Sequence, residues 1–317
     1  MQATVAPAME LHRSSGRRWL GLTLASITML LWGILPLALK ILLRAMESPT
    51  IVWYRFFLSS VLLGALLAWR GGLPPIARFS RAQWLLLAIA TVGLALNYLA
   101  YMEGLDLTTP ANAQVLIQLA PLMLALGGLL LFREHFSRLQ WAGFCILILG
   151  LATFFSSQLR ALASSLDRYL LGSATLVGAA LTWAIYGMAQ KQLLHWFSSQ
   201  AVMWCIYVGC TVCLSLAAKP AAILELDGME LGVLLFCALN TLVAYGAFAA
   251  ALAHWEASRV SSVLALTPLA TLAFAWLMAA LWPTLVAPEV ISTTSLLGAV
   301  AVVGGSLLTA LGGDSKG

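Results

Sequence analysis

Long apolar runs fill most of the chain and are separated by short segments that carry charged residues, proline and glycine. Polar and apolar residues do not alternate within the runs, which argues against the strands of a membrane-spanning barrel. Runs of about 18 or more apolar residues can cross a bilayer as helices, which satisfy their own backbone hydrogen bonds. The pattern therefore predicts an all-α integral membrane protein with ten transmembrane helices. These helices cover about 19–43, 50–69, 83–102, 111–132, 139–156, 169–190, 201–218, 231–253, 258–282 and 291–311.

The first and sixth predicted helices carry nearly the same sequence. LLWGILPLALKILL at 30–43 matches LTWAIYGMAQKQLL at 181–194 in seven of fourteen positions, at an offset of 151 residues. The matches include Trp32 with Trp183 and Lys40 with Lys191. Two further segments match in the same order, and their paired residues are Tyr98 with Tyr245, Pro121 with Pro268, Gly143 with Gly298 and Gly150 with Gly305. The pattern indicates a duplicated chain of two five-helix halves.

An odd number of helices in each half means that the second half enters the membrane upside down. Such an inverted repeat is an architecture of secondary transporters. The predicted organisation is a tail at 1–18, a first repeat at 19–156, an external linker at 157–168, a second repeat at 169–311 and a tail at 312–317.

The composition excludes an ordinary soluble domain. Hydrophobic residues make up 62% of the chain and charged residues 9%, with a mean hydropathy of +0.94, whereas soluble domains carry about 25% charged residues. The net charge of +5 therefore informs topology rather than nucleic-acid binding. Eleven Lys and Arg residues fall on one side of the predicted membrane and four on the other. The positive-inside rule then predicts that both termini are cytoplasmic. We expect the membrane to be the inner (plasma) membrane of a bacterium.

Motifs of soluble enzymes and of metal or cofactor sites are absent from the sequence. All five cysteines lie in apolar runs, and Cys210-x-x-Cys213 has no second pair or nearby histidine to complete a metal site. There is no nucleophile elbow, no zinc-protease helix and no phosphate-binding loop for ATP. We therefore expect no enzyme activity and no cofactor, and any uphill transport must draw on a gradient or on exchange.

Several stretches resemble the EamA-type transporters of the drug/metabolite transporter superfamily. They are LLWGILPLALK, YRFF, LIQLAPLMLALGGLLLFREHFSRLQWAGFCILILG and VLALTPLATLAFAWLMAALW, and the likeness covers about 19–156 and 169–311. The second half departs from the pattern in WPTLVAPEVISTTSLLG, which lacks the short basic and acidic turn of FREHFSRLQWAG. The resemblance implies a ten-helix carrier, usually an exporter of small metabolites, and leaves the substrate open.

Trp32 and Trp183 lie about halfway along the first and sixth helices, near the membrane midplane. Inverted-repeat carriers bind their substrates near that depth, between the repeats. We expect the pair to line a substrate cavity, and packing between helices is the alternative.

Gln114, Gln118 and Pro121 fall at i, i+4 and i+7 and so share one face of the fourth helix. Pro121, like Pro268 on the ninth helix, is expected to break its helix and to free a backbone carbonyl that a cavity or a neighbouring group must satisfy. We expect the amides to face the interior, either toward substrate or in hydrogen bonds between helices.

Further polar groups lie on the third, sixth and eighth helices: Asn97, Tyr98, Tyr186, Asn240 and Tyr245. With the tryptophans they suit a ligand that has apolar and hydrogen-bonding parts, such as an aromatic or branched amino acid. A packing or interfacial role is the alternative for each tyrosine.

Three charged residues are candidates for gating. Lys40 ends the first helix, where snorkelling of its amine to the interface is the alternative. Arg55 lies about one and a half turns below the outer surface on the second helix, and a charge at that depth favours a partner. Glu103 is the acid at similar depth, so we predict an Arg55–Glu103 contact that holds the outer side shut. A substrate carboxylate facing Arg55 is the alternative.

Together these features favour a secondary carrier that exports small organic solutes such as amino acids, by alternating access around a midplane cavity. Its expected partners are the small-molecule substrate and the lipid bilayer, without nucleic acid. A membrane-embedded enzyme and a channel-like protein are the alternatives.

Overall fold

The computed structural model describes residues 17–132, 137–161, 166–255, 257–283, 285 and 292–311. These residues form helices joined by short connections, and no strand occurs among them. The helices of the first half are α1 (Arg18–Leu42), α2 (Ser48–Trp69), α3 (Arg81–Leu107), α4 (Pro110–Leu116), α5 (Leu119–Phe132) and α6 (Arg138–Ala161). Those of the second half are α7 (Leu166–Leu193), α8 (Ser199–Leu214), α9 (Gly228–His254), α10 (Ala257–Leu264), α11 (Thr267–Leu281) and α12 (Thr293–Leu311). Short 3-10 turns, Ile76–Arg78 and Pro220–Glu225, precede α3 and α9.

Matching capping signals fix where α3 and α9 begin. The Ser80 hydroxyl accepts from the Gln83 N–H at 3.3 Å, and the Gln83 side chain accepts from the Ser80 N–H at 2.9 Å. Asp227 and Glu230 form the same reciprocal pair at α9, at 2.7 and 3.0 Å. Such capping boxes satisfy backbone donors that have no partner inside the helix. The two halves thus start their third helices in the same way.

In each half, one of the predicted membrane-spanning helices is broken into two shorter helices. The predicted helix 111–132 consists of α4 and α5, which separate at residues 117–118, and the predicted helix 258–282 consists of α10 and α11, which separate at 265–266. A proline follows each break, Pro121 in one half and Pro268 in the other. Proline has no N–H to donate to the carbonyl four residues earlier, which interrupts the helix there. The two breaks therefore lie next to the prolines that the sequence marks as helix-breaking.

The outside of the helix bundle is apolar while polar side chains lie inside it, the reverse of a soluble protein. Leu149 and Val212 are exposed, whereas Asn112 and Gln118 are buried. Within the described residues, five segments are long and apolar enough to cross a membrane: Arg18–Leu42, Ser48–Trp69, Arg81–Leu107, Asp167–Leu193 and Gly228–Ala251. Shorter apolar segments are Arg138–Phe154, Ser199–Leu214, Thr267–Leu281 and Thr293–Thr309. These properties are those of an all-helical membrane protein.

The most extensive helix contacts join one half of the chain to the other: α1 packs on α9, α2 on α8, α3 on α7 and α6 on α12. The α6–α12 pair is antiparallel, because Gly143 meets Gly305 and Gly150 meets Gly298. A Cβ atom on Gly150 would lie 2.9 Å from the Gly298 carbonyl oxygen. Small residues permit such close approach of helices in membranes. The glycines that match between the two halves are therefore the contact between their last helices.

The α3–α7 and α1–α9 crossings each contain a side-chain hydrogen bond between equivalent positions, but the donor lies in the opposite partner of the pair. Asn97 of α3 donates to the Ala179 carbonyl of α7 at 2.8 Å, and Thr28 of α1 donates to the Ala244 carbonyl of α9 at 3.2 Å. Positions 28 and 179 are equivalent in the two halves, as are 97 and 244. The α1–α9 and α3–α7 pairs therefore cross at equivalent points.

Candidate functional site

A central cavity lies between the two halves. It holds about 760 Å³ of empty space, counting the part that opens to solvent. Its walls are mostly aromatic and aliphatic, with three amides and one guanidinium among the polar groups. The lining residues are Trp32, Leu35, Leu39, Arg55, Asn97, Tyr98, Tyr101, Gln114, Ile117, Gln118, Ala120, Trp183, Tyr245, Leu264 and Thr267. No cluster of His, Cys, Asp or Glu that suits a metal ion occurs in the described part of the chain.

The two repeat-related tryptophans both line the cavity and both approach Phe248. The ring centroid of Trp32 lies 5.5 Å from that of Phe248 and 5.1 Å from that of Tyr245. The ring of Trp183 lies 6.0 Å from Phe248. Rings at these separations attract one another. The wall thus offers fixed aromatic faces against which an apolar ligand group can stack.

Gln114 and Asn97 reach the cavity with their NH₂ groups already engaged. Gln114 Nε2 donates to the Trp32 carbonyl at 2.7 Å, and Asn97 Nδ2 donates to the Ala179 carbonyl at 2.8 Å. A backbone carbonyl only accepts, so each amide must turn its NH₂ toward the backbone. The amide oxygens are left to accept hydrogen bonds from another group.

Gln118 joins the two broken helices. It lies at the break between α4 and α5, and its Nε2 donates to the carbonyls of Leu264 (3.3 Å) and Ala265 (3.0 Å), where α10 gives way to α11. Leu264 lies four residues before Pro268, so its carbonyl lacks the usual helical donor. The Thr267 hydroxyl also donates to this carbonyl, at 2.6 Å. Residues of the cavity wall therefore satisfy the group that the proline frees.

Arg55 lines the cavity although only 2% of the residue is exposed to solvent. Its Nε donates to the Thr241 hydroxyl at 2.9 Å, and that hydroxyl donates in turn to the Cys237 carbonyl at 2.9 Å. The guanidinium carbon lies 4.5 Å from the centre of the Tyr98 ring, within the range of a cation–π contact. The side chain is thus held from α9 and from α3.

The predicted Arg55–Glu103 ion pair is not formed in this structure. Arg55 turns inward to Thr241 and Tyr98, whereas Glu103 is exposed on the outside of α3. Glu103 follows Tyr98 by five residues, which places it about 140° further around the helix. Helix α3 therefore presents a ring to Arg55 and directs the carboxylate away from it.

Lys40 ties the end of α1 to the end of α3. Its Nζ donates to the carbonyls of Leu105 (2.7 Å), Asp106 (2.8 Å) and Thr108 (3.2 Å), which belong to a helix end whose carbonyls lack intrahelical donors. The Asp106 carboxylate lies 3.9 Å from Lys40 and 3.5 Å from Arg168 at the start of α7. Lys40 is therefore a link between helices rather than an amine that reaches into the interface.

Tyr186 and Asn240, which the sequence suggests as substrate-binding residues, do not line this cavity. Tyr186 is fully buried, with its hydroxyl 3.5 Å from the Met203 sulfur. Asn240 donates to the Leu31 carbonyl at 2.7 Å, and so connects α9 to α1. Both residues therefore lie behind the residues that line the cavity and contact neighbouring helices. The side chain of Pro121 lies outside what the structure describes.

Leu35 and Leu39 carry no individual signal in the sequence, whereas Tyr101 is one of the polar side chains that it offers on the third helix beside Asn97 and Tyr98. Leu35 and Leu39 follow Trp32 by three and seven residues and so share its face of α1. Tyr101 follows Asn97 by four residues on α3. Their helical spacing from Trp32 and Asn97 predicts that these residues share the face of the helix that borders the cavity.

Comparison with known proteins identifies the family of this chain. The profile of the EamA-like transporter family matches residues 19–156 and 170–311. The "Uncharacterized inner membrane transporter YhbE" of Escherichia coli (strain K12) is 40% identical over 294 residues, which are 92% of each chain. An "Uncharacterized transporter" of Haemophilus influenzae is 38% identical over 293 residues, which are 92% of this chain and 95% of the relative. One protein of known crystal structure superposes with a TM-score of 0.66 over 96% of this chain and 100% of its own, at 18% identity, which shows a shared fold. The chain belongs to the EamA-like transporter family.

Proposed function

We propose that the protein is a ten-helix secondary carrier of the bacterial inner membrane that exports small organic solutes such as amino acids. Its membership of a transporter family supports transport as the activity. The inner-membrane name of the Escherichia coli relative supports the location. Counting each broken pair as one span gives ten, and the excess of basic residues on one side supports cytoplasmic termini.

The observation that carries this proposal is the difference between the two ends of the cavity. Where α1 ends, Leu35 and Leu39 line empty space. The equivalent positions of the second half, 151 residues later, are Tyr186 and Gln190, which are buried and lie 3.5 and 2.9 Å from the Met203 sulfur. Among the described residues, the central cavity thus reaches these positions on α1 but not their counterparts on α7. This asymmetry between inverted halves is what alternating access around a fixed site requires.

The direction of opening follows from the proposed topology. With both termini in the cytoplasm, α1 and α3 end on the outside, so the space near Leu39 and Tyr101 faces outward. The inward-facing state would fill this end and open the one around Tyr186 and Gln190.

The chemistry of the wall supports a small amphiphilic substrate. Trp32, Trp183 and Tyr245 provide aromatic faces, and Gln114 and Asn97 present amide oxygens. Predominantly apolar pockets with a few placed polar groups bind ligands by enclosing their apolar part and orienting their polar part. Apolar amino acids fit that description.

Counterflow in proteoliposomes tests the proposal. Vesicles that contain the purified protein and a preloaded unlabelled amino acid, such as phenylalanine or leucine, are diluted into a labelled one. A carrier takes up label at a saturable rate that the preloaded substrate accelerates, and protein-free vesicles give the leak. Uptake that rises linearly with concentration and ignores preloading would instead indicate a channel.

A further inference from the structure

Arg55 brings a positive charge into the cavity without a negative partner. No acidic residue lines the cavity in the described part of the chain. The ion pairs found there, Lys40–Asp106, Arg168–Asp106 and Lys219–Glu47, lie at helix ends. Arginine stays protonated in proteins, and a charge inside a membrane protein is costly unless it is paired or functional.

The geometry of Arg55 leaves its terminal nitrogens for a ligand. Only Nε is engaged, by the Thr241 hydroxyl at 2.9 Å, and Tyr98 supports the flat face of the group at 4.5 Å. The two terminal nitrogens make no hydrogen bond within the described residues, and the side chain lines the cavity. A guanidinium held in this way presents a planar pair of donors that matches the two oxygens of a carboxylate.

The second half of the chain indicates that the fold does not require this charge. Helices α2 and α8 are equivalent at an offset of 151 residues, which aligns Trp53 with Trp204 and Arg55 with Ile206. Ile206 is fully buried. The same position is thus filled by a buried apolar side chain in the second half and by a guanidinium that lines the cavity in the first.

We propose that Arg55 is the anchor for a substrate carboxylate, so that the cavity takes small carboxylic acids, amino acids included, that have an apolar body. This inference rests on the proposed carrier function and narrows its substrate class. The carboxylate pairs with the terminal nitrogens of Arg55, and the apolar body stacks near Trp32 and Tyr245. The amide oxygens of Gln114 and Gln118 accept from donors on the substrate, such as an ammonium group.

Three probes that share a phenyl body separate the two ends of the ligand. Phenylalanine carries a carboxylate and an ammonium group, 3-phenylpropionate carries only the carboxylate, and phenethylamine carries only the ammonium group. We expect both carboxylates to raise the melting temperature of the purified protein in a concentration-dependent way and the amine to leave it unchanged. The assignment would be overturned if phenethylamine stabilised the protein as much as the two acids do. It would also be overturned if neither acid raised the melting temperature.

Variants of Arg55 give the second arm of the test. Arg55→Gln should weaken binding of the carboxylates about 10- to 100-fold, the range for losing a charge-assisted hydrogen bond. Arg55→Lys keeps the positive charge but not the planar pair of donors, so its affinity for the carboxylates should lie between those of the native protein and Arg55→Gln. Arg44→Gln is the matched control, because Arg44 is exposed at the same end of the bundle, and its affinity should equal that of the native protein. If Arg55→Gln does not fold, Thr241→Val removes only the group that orients Arg55 and should still weaken carboxylate binding.

Unchanged affinity in both Arg55→Gln and Arg55→Lys would refute the anchor. Counterflow with the same probes distinguishes this failure from failure of the carrier. Saturable counterflow that Arg55→Gln does not change would support the carrier function and refute the role of Arg55 as the anchor. Carboxylate binding that depends on Arg55, without any counterflow, would support the role of Arg55 and refute the carrier function.

Discussion

The contact between α6 and α12 allows a stability prediction in which one helix supplies both the test and its control. Gly304 and Gly305 are neighbours on α12, yet only Gly305 faces α6. A Cβ atom on Gly305 would lie 2.6 Å from the Gly143 carbonyl oxygen and 2.7 Å from Leu147 Cα, whereas one on Gly304 would meet nothing within 4 Å. We expect Gly305→Ala to destabilise the protein and Gly304→Ala to leave it unchanged or slightly more stable.

The magnitude follows from comparing the two variants. Each replaces glycine by alanine inside a helix, so each gains about 1 kcal/mol of helix preference, and this gain cancels in the difference. What remains is the overlap at Gly305. The atoms in the way belong to the backbone of α6, so the helices must separate, and overpacking of this kind costs about 1–3 kcal/mol. Gly305→Ala should therefore be about 1–3 kcal/mol less stable than Gly304→Ala.

Thermal unfolding of both purified variants in the same detergent measures this difference. The melting temperature of Gly305→Ala should fall below that of Gly304→Ala, with the native protein between them or close to Gly304→Ala. Equal melting temperatures would show that α6 and α12 do not cross at these glycines, and would also remove the support they give to the antiparallel pairing of the two halves.

Three further predictions address topology, the cavity wall and the outer link. A cysteine at Ala221, in the exposed 3-10 turn before α9, should react with an impermeant thiol reagent added outside intact cells. A cysteine at Ala77 should not react, and labelling at Ala77 would reverse the proposed orientation. Trp183→Ala should broaden the range of amino acids that compete in counterflow, because Trp183 lines the cavity, whereas Trp276→Ala, at a side chain 55% exposed on the outside, should not; equal substrate preference in the two variants would return Trp183 to a packing role. Lys40→Met should lower the free energy of unfolding by about 1–3 kcal/mol, the cost of leaving polar groups without hydrogen bonds, and a melting temperature equal to that of the native protein would contradict the link between α1 and α3.

The position of the helices could be predicted from the sequence because it depends on local chemistry. The run at 19–43 corresponds to α1 (Arg18–Leu42), and the run at 231–253 to α9 (Gly228–His254). In lipid a backbone has no partner but itself, so a sufficiently long apolar run becomes a helix whatever its neighbours are. The breaks at α4–α5 and α10–α11 also have a signal in the sequence, because Pro121 and Pro268 are expected to interrupt their helices.

The candidate site could be predicted only in part. Helical spacing and the repeat led to Trp32, Trp183, Gln114 and Gln118, because those residues share inward faces of their own helices. The wrong partner was assigned to Arg55, because charge and approximate depth were the only guides to what lies opposite it. Thr241 is 186 residues away in the chain, and a hydroxyl that satisfies its own helix leaves no mark in the sequence.

The sequence by itself predicts the helices, the duplication and a second half that enters the membrane upside down, since each depends on composition and spacing along one chain. The tertiary structure alone decided which groups meet: the Tyr98 ring and the Thr241 hydroxyl around Arg55, the end of α3 around Lys40, and a cavity that reaches Leu35 and Leu39 on α1. The physical reason is that the two halves carry different side chains at positions that match in the sequence, so the packing of α1 on α9 and of α3 on α7 determines where the space lies. Contacts of that kind depend on distances between residues far apart in the chain, which neither hydropathy nor periodicity encodes.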